Sequence, residues 1–370
     1  MEQRIFFYGT IPKKGQVPYG GGEVGNTRTI RMLRNAGYTV TTIRQRKAEA
    51  NWGRFRAFTT YPVRLLAGWL ELFIKLIFSS RKNIVHLSGF AGKTIFNEYI
   101  LMLIIKILGF KAIYELRGGG AISFWTSGSN CYKRMFRYLI KHASYVFTQG
   151  QENIPLINSI ADTPAFHYAN CVEDGFAPNK YPTKPKDSIN ILFFGRIEAN
   201  KHVDMIVDIV SIIQKKIPNV HFTLIGNGKS DYVQFVKGKM LELLLPDSYK
   251  YYTGCRHEEL PPVLADKHFF IFPSTQPREG QSNSITECMA YGIVPVASPQ
   301  GFNRSTIGND SLIIEKLDAN LYANRIIEII TNNDIEPLSR FIYQRFCENF
   351  TEGIVSSKAL SQYQRICKNT

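Results

Sequence analysis

The sequence predicts an α/β protein built as two doubly wound Rossmann-like domains in series, and three observations carry that prediction. Short apolar runs alternate with longer helix-patterned stretches, the alternation stops at a Pro- and Lys-containing segment, and beyond that segment it starts again. A chain of 370 residues, 44% of them hydrophobic, is long enough for two cores. A strand, helix, strand rhythm requires a parallel sheet wrapped by helices, because a helix is the usual way to return a chain to the start of a parallel neighbour.

In the first half the apolar runs are RIFFYG, TVTTIR, NIVHLSG, KAIYELRG and SYVFTQG. Between them lie helical patterns in GNTRTIRMLRNAG, at 62–78, at 95–108 and in YKRMFRYLIKHA. The second half gives NILFFGRI, VHFTLIGNG, YKYYTG, HFFIFPS, IVPVAS and SLIIEK as strands, with helices at 202–216 and 230–245. The final stretch from Leu338 to Cys367 reads as helix. Pro178, Pro182 and Pro185 mark a semi-rigid linker. The expected boundaries are therefore 1–172 for the first, acceptor-side domain, 173–189 for the linker, 190–345 for the second domain, and a C-terminal helix at 346–370 with the option of crossing back to the first. The two domains are expected to face each other across a cleft.

Charge divides the halves. Residues 1–188 hold 26 Lys and Arg against 11 Asp and Glu, while residues 189–370 hold 19 of each, so the whole net charge of +15 lies in the first half. Such a surplus points to anionic lipid, a phosphorylated acceptor or nucleic acid, or else to an ordinary basic face. No nucleic-acid recognition motif accompanies it. Residues 61–78 place Trp69, Leu72 and Phe73 beside Arg64 and Lys75, which fits either an interfacial helix or a core helix of the first domain. Six scattered cysteines without a Cys-x-x-Cys pair argue against a zinc site or a disulfide framework and for a reducing, cytoplasmic compartment. The apolar run in MEQRIFFYGTIPKK is short for a signal peptide, and the run from Tyr99 to Phe110 is short for a span.

The densest chemical signal is PREGQSNSITECMAYG, in which seven residues separate Glu279 from Glu287 across a loop that becomes a helix. Pro273 and Pro277 keep Glu279 out of the helix, and Gly292 ends it. A helix N-terminus presents unpaired N–H groups and a partial positive charge, so the amides of Gln281, Ser282, Asn283 and Ser284 are placed to hold a diphosphate while the two carboxylates bind hydroxyls. In a doubly wound sheet ligands bind at the carboxyl ends of strands. There this sequence has Gly195 and Arg196 with Lys201 following, then Gly226-Asn227-Gly228, then Gly254 and Arg256. Arg196 and Lys201 either neutralise a leaving diphosphate or form an exposed charge pair at a domain edge. Gly20-x-Gly22-x-x-Gly25 resembles a dinucleotide fingerprint, but it starts ten residues beyond its strand and the next strand ends in Arg44 instead of an acid. A phosphate or acceptor loop suits it better. The histidines have no metal spacing and no Asp-x-Asp occurs, so no metal ligands are expected. His86 either lines the cleft or is a hydrogen-bonded structural histidine.

Residues 189–330 resemble the donor-binding domain of the retaining glycosyltransferases of family 4, which have the GT-B architecture. The matching elements are FFGRIEANKH, LIGNG, YYTG, HEELPPVLADKHFFIFPS and the two-glutamate segment running into ECMAYGIVPVAS. The likeness extends more weakly over the first half through GGGEVGNTRTIRMLRNAGYTV and NCVEDGF. It implies a retaining, metal-independent hexosyl- or related glycosyltransferase that needs no cofactor, takes a nucleoside diphosphate sugar such as a UDP-sugar, and acts on a glycan or lipid-linked acceptor in cell-surface polysaccharide or lipopolysaccharide synthesis. Such an enzyme would work in the cytoplasm, free or peripheral at the inner face of an anionic membrane. By the same resemblance Arg196 and Lys201 bind the diphosphate, Glu279 contacts the donor sugar and Glu287 the ribose. Gly21, Gly22, Gly195, Gly226 and Arg256 line the donor side. The family's usual Lys-Gly is here Lys201-His202, its linker glycine is Cys171, and its usual Gly-Gly-x-x-Glu is PQGFNRSTIG. Arg117 stands where the family often has a histidine beside the reacting sugar, and it either meets a substrate or pairs with a carboxylate such as Glu115. A sugar-nucleotide epimerase of the same fold and a non-catalytic sugar-nucleotide-binding scaffold are the alternatives.

Overall fold

A computed structural model describes residues 3–13, 15–16, 20–46 and 54–368. It divides into two compact units, Met1–Ala169 with Ser356–Thr370, and Asn170–Val355.

The first unit is a parallel sheet of six strands, β1 (Arg4–Gly9), β2 (Thr39–Arg44), β3 (Ile84–Gly89), β4 (Lys111–Leu116), β5 (Tyr145–Thr148) and β6 (Ala165–His167), in the order β2-β1-β3-β4-β5-β6. Alternation along the strands supplies two cores. Phe6 and Tyr8 point into one with Val85, Tyr114, Leu101 and Phe136. Ile5 and Phe7 point into the other with Ile84, Ile113, Leu33 and Tyr363. Strands covered on both faces are mostly apolar, which is why β3 and β4 were legible as apolar runs even though they carry the buried polar residues His86 and Glu115.

The second unit is a five-stranded parallel sheet of β7 (Ile189–Phe194), β8 (Val220–Ile225), β9 (Tyr249–Tyr252), β10 (Phe269–Phe272) and β11 (Val294–Ala297), ordered β11-β10-β7-β8-β9. The chain winds outward from β7 in one direction through β8 and β9 and in the other through β10 and β11. The switch point therefore falls between β7 and β10.

The structure departs from the sequence reading in four places. SLIIEK is not a strand: it forms a 3-10 turn at Asp310–Leu312 and a single bridge from Ile313 to Ala297. Asn309 Oδ1 accepts from both the N–H and the hydroxyl of Ser311, which draws the local backbone into a turn instead of a ladder. The C-terminal helix is two helices, Ile335–Asn349 and Glu352–Lys368, interrupted where Val172 bridges Thr351 and bonds Phe350 O and Glu352 N. The helix read from residue 62 begins at Arg54, with Pro62 inside it. The segment 173–189 is packed against the second unit rather than acting as a spacer. Tyr181 donates to Ser339 Oγ at 2.7 Å, Lys184 donates to Ala265 O at 3.1 Å, and Pro185 O accepts from His268. Burial pushes the Lys184 ammonium down to about 8. Among the described residues no helix is long and apolar enough to cross a membrane.

Candidate functional site

The loops after β7 and β10 meet at the switch point of the second sheet. Gly195 leaves β7 at φ 144°, and its carbonyl lies so close to Gly226 that a Cβ there would come within 1.9 Å. This close approach is what requires glycine after β8. The backbone then makes a short 3-10 turn at Ala199–Lys201 and passes through His202 in the left-handed region. Asn200 O accepts from Thr275 N at 2.8 Å, and His202 Nε2 lies 2.7 Å from Thr275 Oγ1, so the two loops are fastened together.

That fastening sets Lys201 against Glu279. Lys201 Nζ is 2.9 Å from Glu279 Oε2 and 4.6 Å above the ring of Phe272. Ser274 Oγ donates to the same carboxylate oxygen at 3.0 Å. Gly301, at φ 64°, lets its loop lie against Glu279, where a Cβ would come within 2.3 Å of the Glu279 carbonyl.

Ser282 caps the helix Asn283–Ala290, accepting from Ile285 N. The first-turn amides of that helix begin at Asn283, and Glu287 lies on its second turn with Oε1 3.1 Å from His257 Nε2. His257 stacks on Phe176 with centroids 4.4 Å apart. The Gln281 side chain is committed to the backbone of Asn170, accepting from its N–H at 2.6 Å and donating to its carbonyl at 3.1 Å. Asn283 Oδ1 accepts from Asn170 Nδ2. These two side chains anchor the start of the unit, and any contact Gln281 makes with a ligand falls to its backbone.

Arg196, expected with Lys201 at the diphosphate, and Arg256, expected on the donor side, each pair with a nearby acid. Arg196 is 65% exposed and pairs with Glu198 at 2.8 Å. Arg256 is 80% exposed and clasps Glu259, with Nη2 2.7 Å from Oε1. Sequence reasoning passed over Ser274, His257 and Phe272. Ser274 and Phe272 were within reach of the strand-end rule, since they flank the carboxyl end of β10. His257 carried no such signal.

In the first unit the residues expected on the acceptor side are buried. His86 is fully buried on β3, stacked on Phe7 at 4.5 Å. Its Nε2 lies 2.8 Å from Glu115 Oε2 and its Nδ1 2.5 Å from the Tyr363 hydroxyl. Burial holds the Tyr363 hydroxyl well above its usual range. Of the two readings of His86, the hydrogen-bonded structural histidine is the one observed: aromatic rings and Glu115 enclose it. Arg117, 5% exposed, is 2.6 Å from Glu115 Oε1, so of its two readings the carboxylate pair is the one observed. Burial raises the Glu115 carboxyl, but Arg117 and His86 outweigh that and hold it below the usual carboxylate range. Gly21 and Gly22 open the helix Gly21–Asn35. Gly25, last of the glycine motif, makes room for Arg117: a Cβ there would lie 2.0 Å from Nη1.

Residues 179–345 match the family described as glycosyl transferases group 1. The chain is 20% identical over 192 residues to the GtfA subunit of the UDP-N-acetylglucosamine–peptide N-acetylglucosaminyltransferase of Streptococcus parasanguinis, covering 50% of this chain and 36% of that protein. It is 21% identical over 271 residues to a phosphatidylinositol N-acetylglucosaminyltransferase protein of Arabidopsis thaliana, covering 72% and 58%. The chain thus spans less than two thirds of the length of these relatives. A sucrose-phosphate synthase from Thermosynechococcus elongatus superposes with a TM-score of 0.72 at 16% identity over 100% of both chains. Anabaena HepE in complex with UDP does so with 0.71 at 14% identity, over 98% of this chain and 100% of that one. At such identities the likeness speaks for fold. Two Rossmann-like units and this likeness give the chain a GT-B fold, and its residues 179–345 match the glycosyl transferases group 1.

Proposed function

We propose that the protein transfers a sugar from a nucleoside diphosphate sugar to a hydroxyl of a glycan or lipid-linked acceptor, with retention of configuration. The observation that carries this reading is the Lys201–Glu279–Ser274 cluster at the β7/β10 switch point, on the loop that leads into the Ser282-capped helix. Lys201 has three N–H donors, so one can hold Glu279 while another meets the diphosphate. The sugar–phosphate bond breaks as the acceptor oxygen bonds to the anomeric carbon. The acceptor proton leaves on a departing phosphate oxygen, and Lys201, Arg196 and the helix N-terminus stabilise the charge that develops. Arg196 reaches the phosphate by exchanging Glu198 for it. Glu279 binds a sugar hydroxyl and Glu287 the ribose. With positive charge supplied this way, the reaction proceeds without a divalent metal.

The relatives named above are N-acetylglucosaminyltransferases and one structural neighbour holds UDP, so UDP-N-acetylglucosamine is the first donor to test. A peripheral place on an anionic membrane is supported by Leu66, Leu70, Ile74, Ile77 and Phe78. These residues are exposed on and just beyond the helix Arg54–Ile77, close in sequence to Arg81 and Lys82. The test is a transfer assay in excess EDTA, with and without anionic vesicles, scored for product configuration. Wild type should transfer with retention, faster on vesicles, and Lys201→Ala should fall by about two to three orders of magnitude while remaining folded. A folded Lys201→Ala protein with wild-type turnover would sink the donor-site reading; loss of activity on chelation would sink its metal independence.

A further inference from the structure

The first unit holds a cavity of about 790 Å3 at the carboxyl ends of β1 and β2. The strand order puts the switch point of this sheet between β1 and β3, so the cavity lies one strand away from it. Among its described lining residues are Lys13, Arg44, Arg46 and Arg64 and two acids, Glu23 and Glu71. Glu71 is already shared by Arg46 at 3.0 Å and Lys75 at 2.8 Å. Burial raises its carboxyl, yet those two cations hold it below the usual range. Arg44 donates Nε to Ile11 O at 2.8 Å, a bond that orients the guanidinium without neutralising it. Among the described lining residues cations thus outnumber acids by four to two, and three of the four are fork-shaped groups, the chemistry that binds phosphate oxygens in pairs.

A second observation comes from Gln45, which lies between Arg44 and Arg46 in the chain. It lines the same cavity, is 6% exposed, and its Oε1 has no hydrogen-bond partner among the described residues. A buried carboxamide oxygen left unpaired is costly, and it can be satisfied only by a donor. The phosphoryl group of a phosphate ester dianion has no donor to offer, whereas an alcohol hydroxyl has one. The volume also greatly exceeds that of a phosphate alone and lies in the range of small organic ligands.

We propose that this cavity binds a phosphorylated alcohol, its phosphoryl group on Arg44 and Arg64 and a hydroxyl turned to Gln45, and that this molecule is the acceptor of the reaction. The assignment as acceptor rests on the glycosyltransferase reading; the binding itself does not. Such a ligand comes either from a soluble sugar or polyol phosphate or from the headgroup of an anionic lipid.

The experiment titrates the full chain by calorimetry with sn-glycerol 3-phosphate, inorganic phosphate and glycerol, and with phosphatidylcholine vesicles with and without phosphatidic acid. UDP serves as the control for the other unit. Glycerol 3-phosphate should bind more tightly than either fragment, and Arg44→Gln and Arg64→Gln should each weaken it by roughly tenfold without changing UDP affinity. Gln45→Leu should erase the advantage of glycerol 3-phosphate over inorganic phosphate; Gln45→Met, close in shape and without a strong acceptor, serves if the leucine variant does not fold. Binding of phosphatidic acid vesicles that is lost in the same arginine variants, in the absence of soluble binding, assigns the ligand to the lipid. Variants that bind as wild type does, or a wild type that binds none of the phosphate probes, overturn the proposal. A protein that binds glycerol 3-phosphate at these residues but not UDP keeps the cavity and loses the glycosyltransferase reading.

Discussion

Glu115 in the first unit and Glu279 with Glu287 in the second are acids held by neighbouring bases, yet the two arrangements differ in the bonding capacity they leave over. Glu115 spends both oxygens inside the protein, one on His86 and one on Arg117, and is 3% exposed. Glu279 and Glu287 are bonded through one oxygen each, with Glu279 Oε1 and Glu287 Oε2 left without a hydrogen-bond partner among the described residues. A saturated, buried carboxylate fixes a fold. A half-saturated one at a strand end can still bind something else. The difference shows that residue type and position along a strand nominate a site, and that remaining hydrogen-bond capacity decides it.

The largest test of this contrast is Glu115→Ala, which leaves Arg117 buried without its carboxylate and should cost about 3–5 kcal/mol in urea unfolding. The pH dependence has a definite sign. A carboxyl whose folded pKa is lowered stabilises the fold above its ordinary range, near 4.5, and loses that contribution as pH falls through the lowered value. The deficit of the variant should therefore hold steady above that range and shrink below it. A deficit under about 1 kcal/mol, the scale of an exposed pair, would make the network peripheral.

Gly25→Ala attacks the same network by crowding. Its new Cβ would meet a guanidinium pinned by Glu115, and we expect a loss of about 1–3 kcal/mol, read as a lower urea midpoint at unchanged slope. Full stability would mean that Arg117 moves aside freely. The smallest effect belongs to the second unit. Glu287→Gln, whose partner His257 is 48% exposed, should change stability by less than about 1 kcal/mol while lowering UDP affinity. A large loss of stability with UDP binding intact would place Glu287 with Glu115 among the structural acids.

The sequence disclosed what is periodic and local. Every strand from β1 to β5 and from β7 to β11 could be read from its apolar run, and the loop before the helix Asn283–Ala290 from its prolines. What it concealed depended on distant partners. Nothing around His86 shows that Tyr363 closes over it, and the outward turns of Arg196 and Arg256 follow from Glu198 and Glu259, which a strand-end rule does not weigh. The packing of 173–189 was hidden for the same reason, because the carbonyl that Lys184 seeks lies 81 residues away.

The helix Glu352–Lys368 has a consequence for how the molecule is made. It delivers Ala359, Tyr363 and Ile366 into a core whose other members come from the first half of the chain. His86 waits 277 residues for its tyrosine. At roughly 5–20 residues per second on the ribosome, that is a delay of tens of seconds during which one face of the first sheet is only partly covered, by the helix Gly21–Asn35, while the whole second unit emerges and can fold as a unit. The earlier-born unit is thus the later one to be completed.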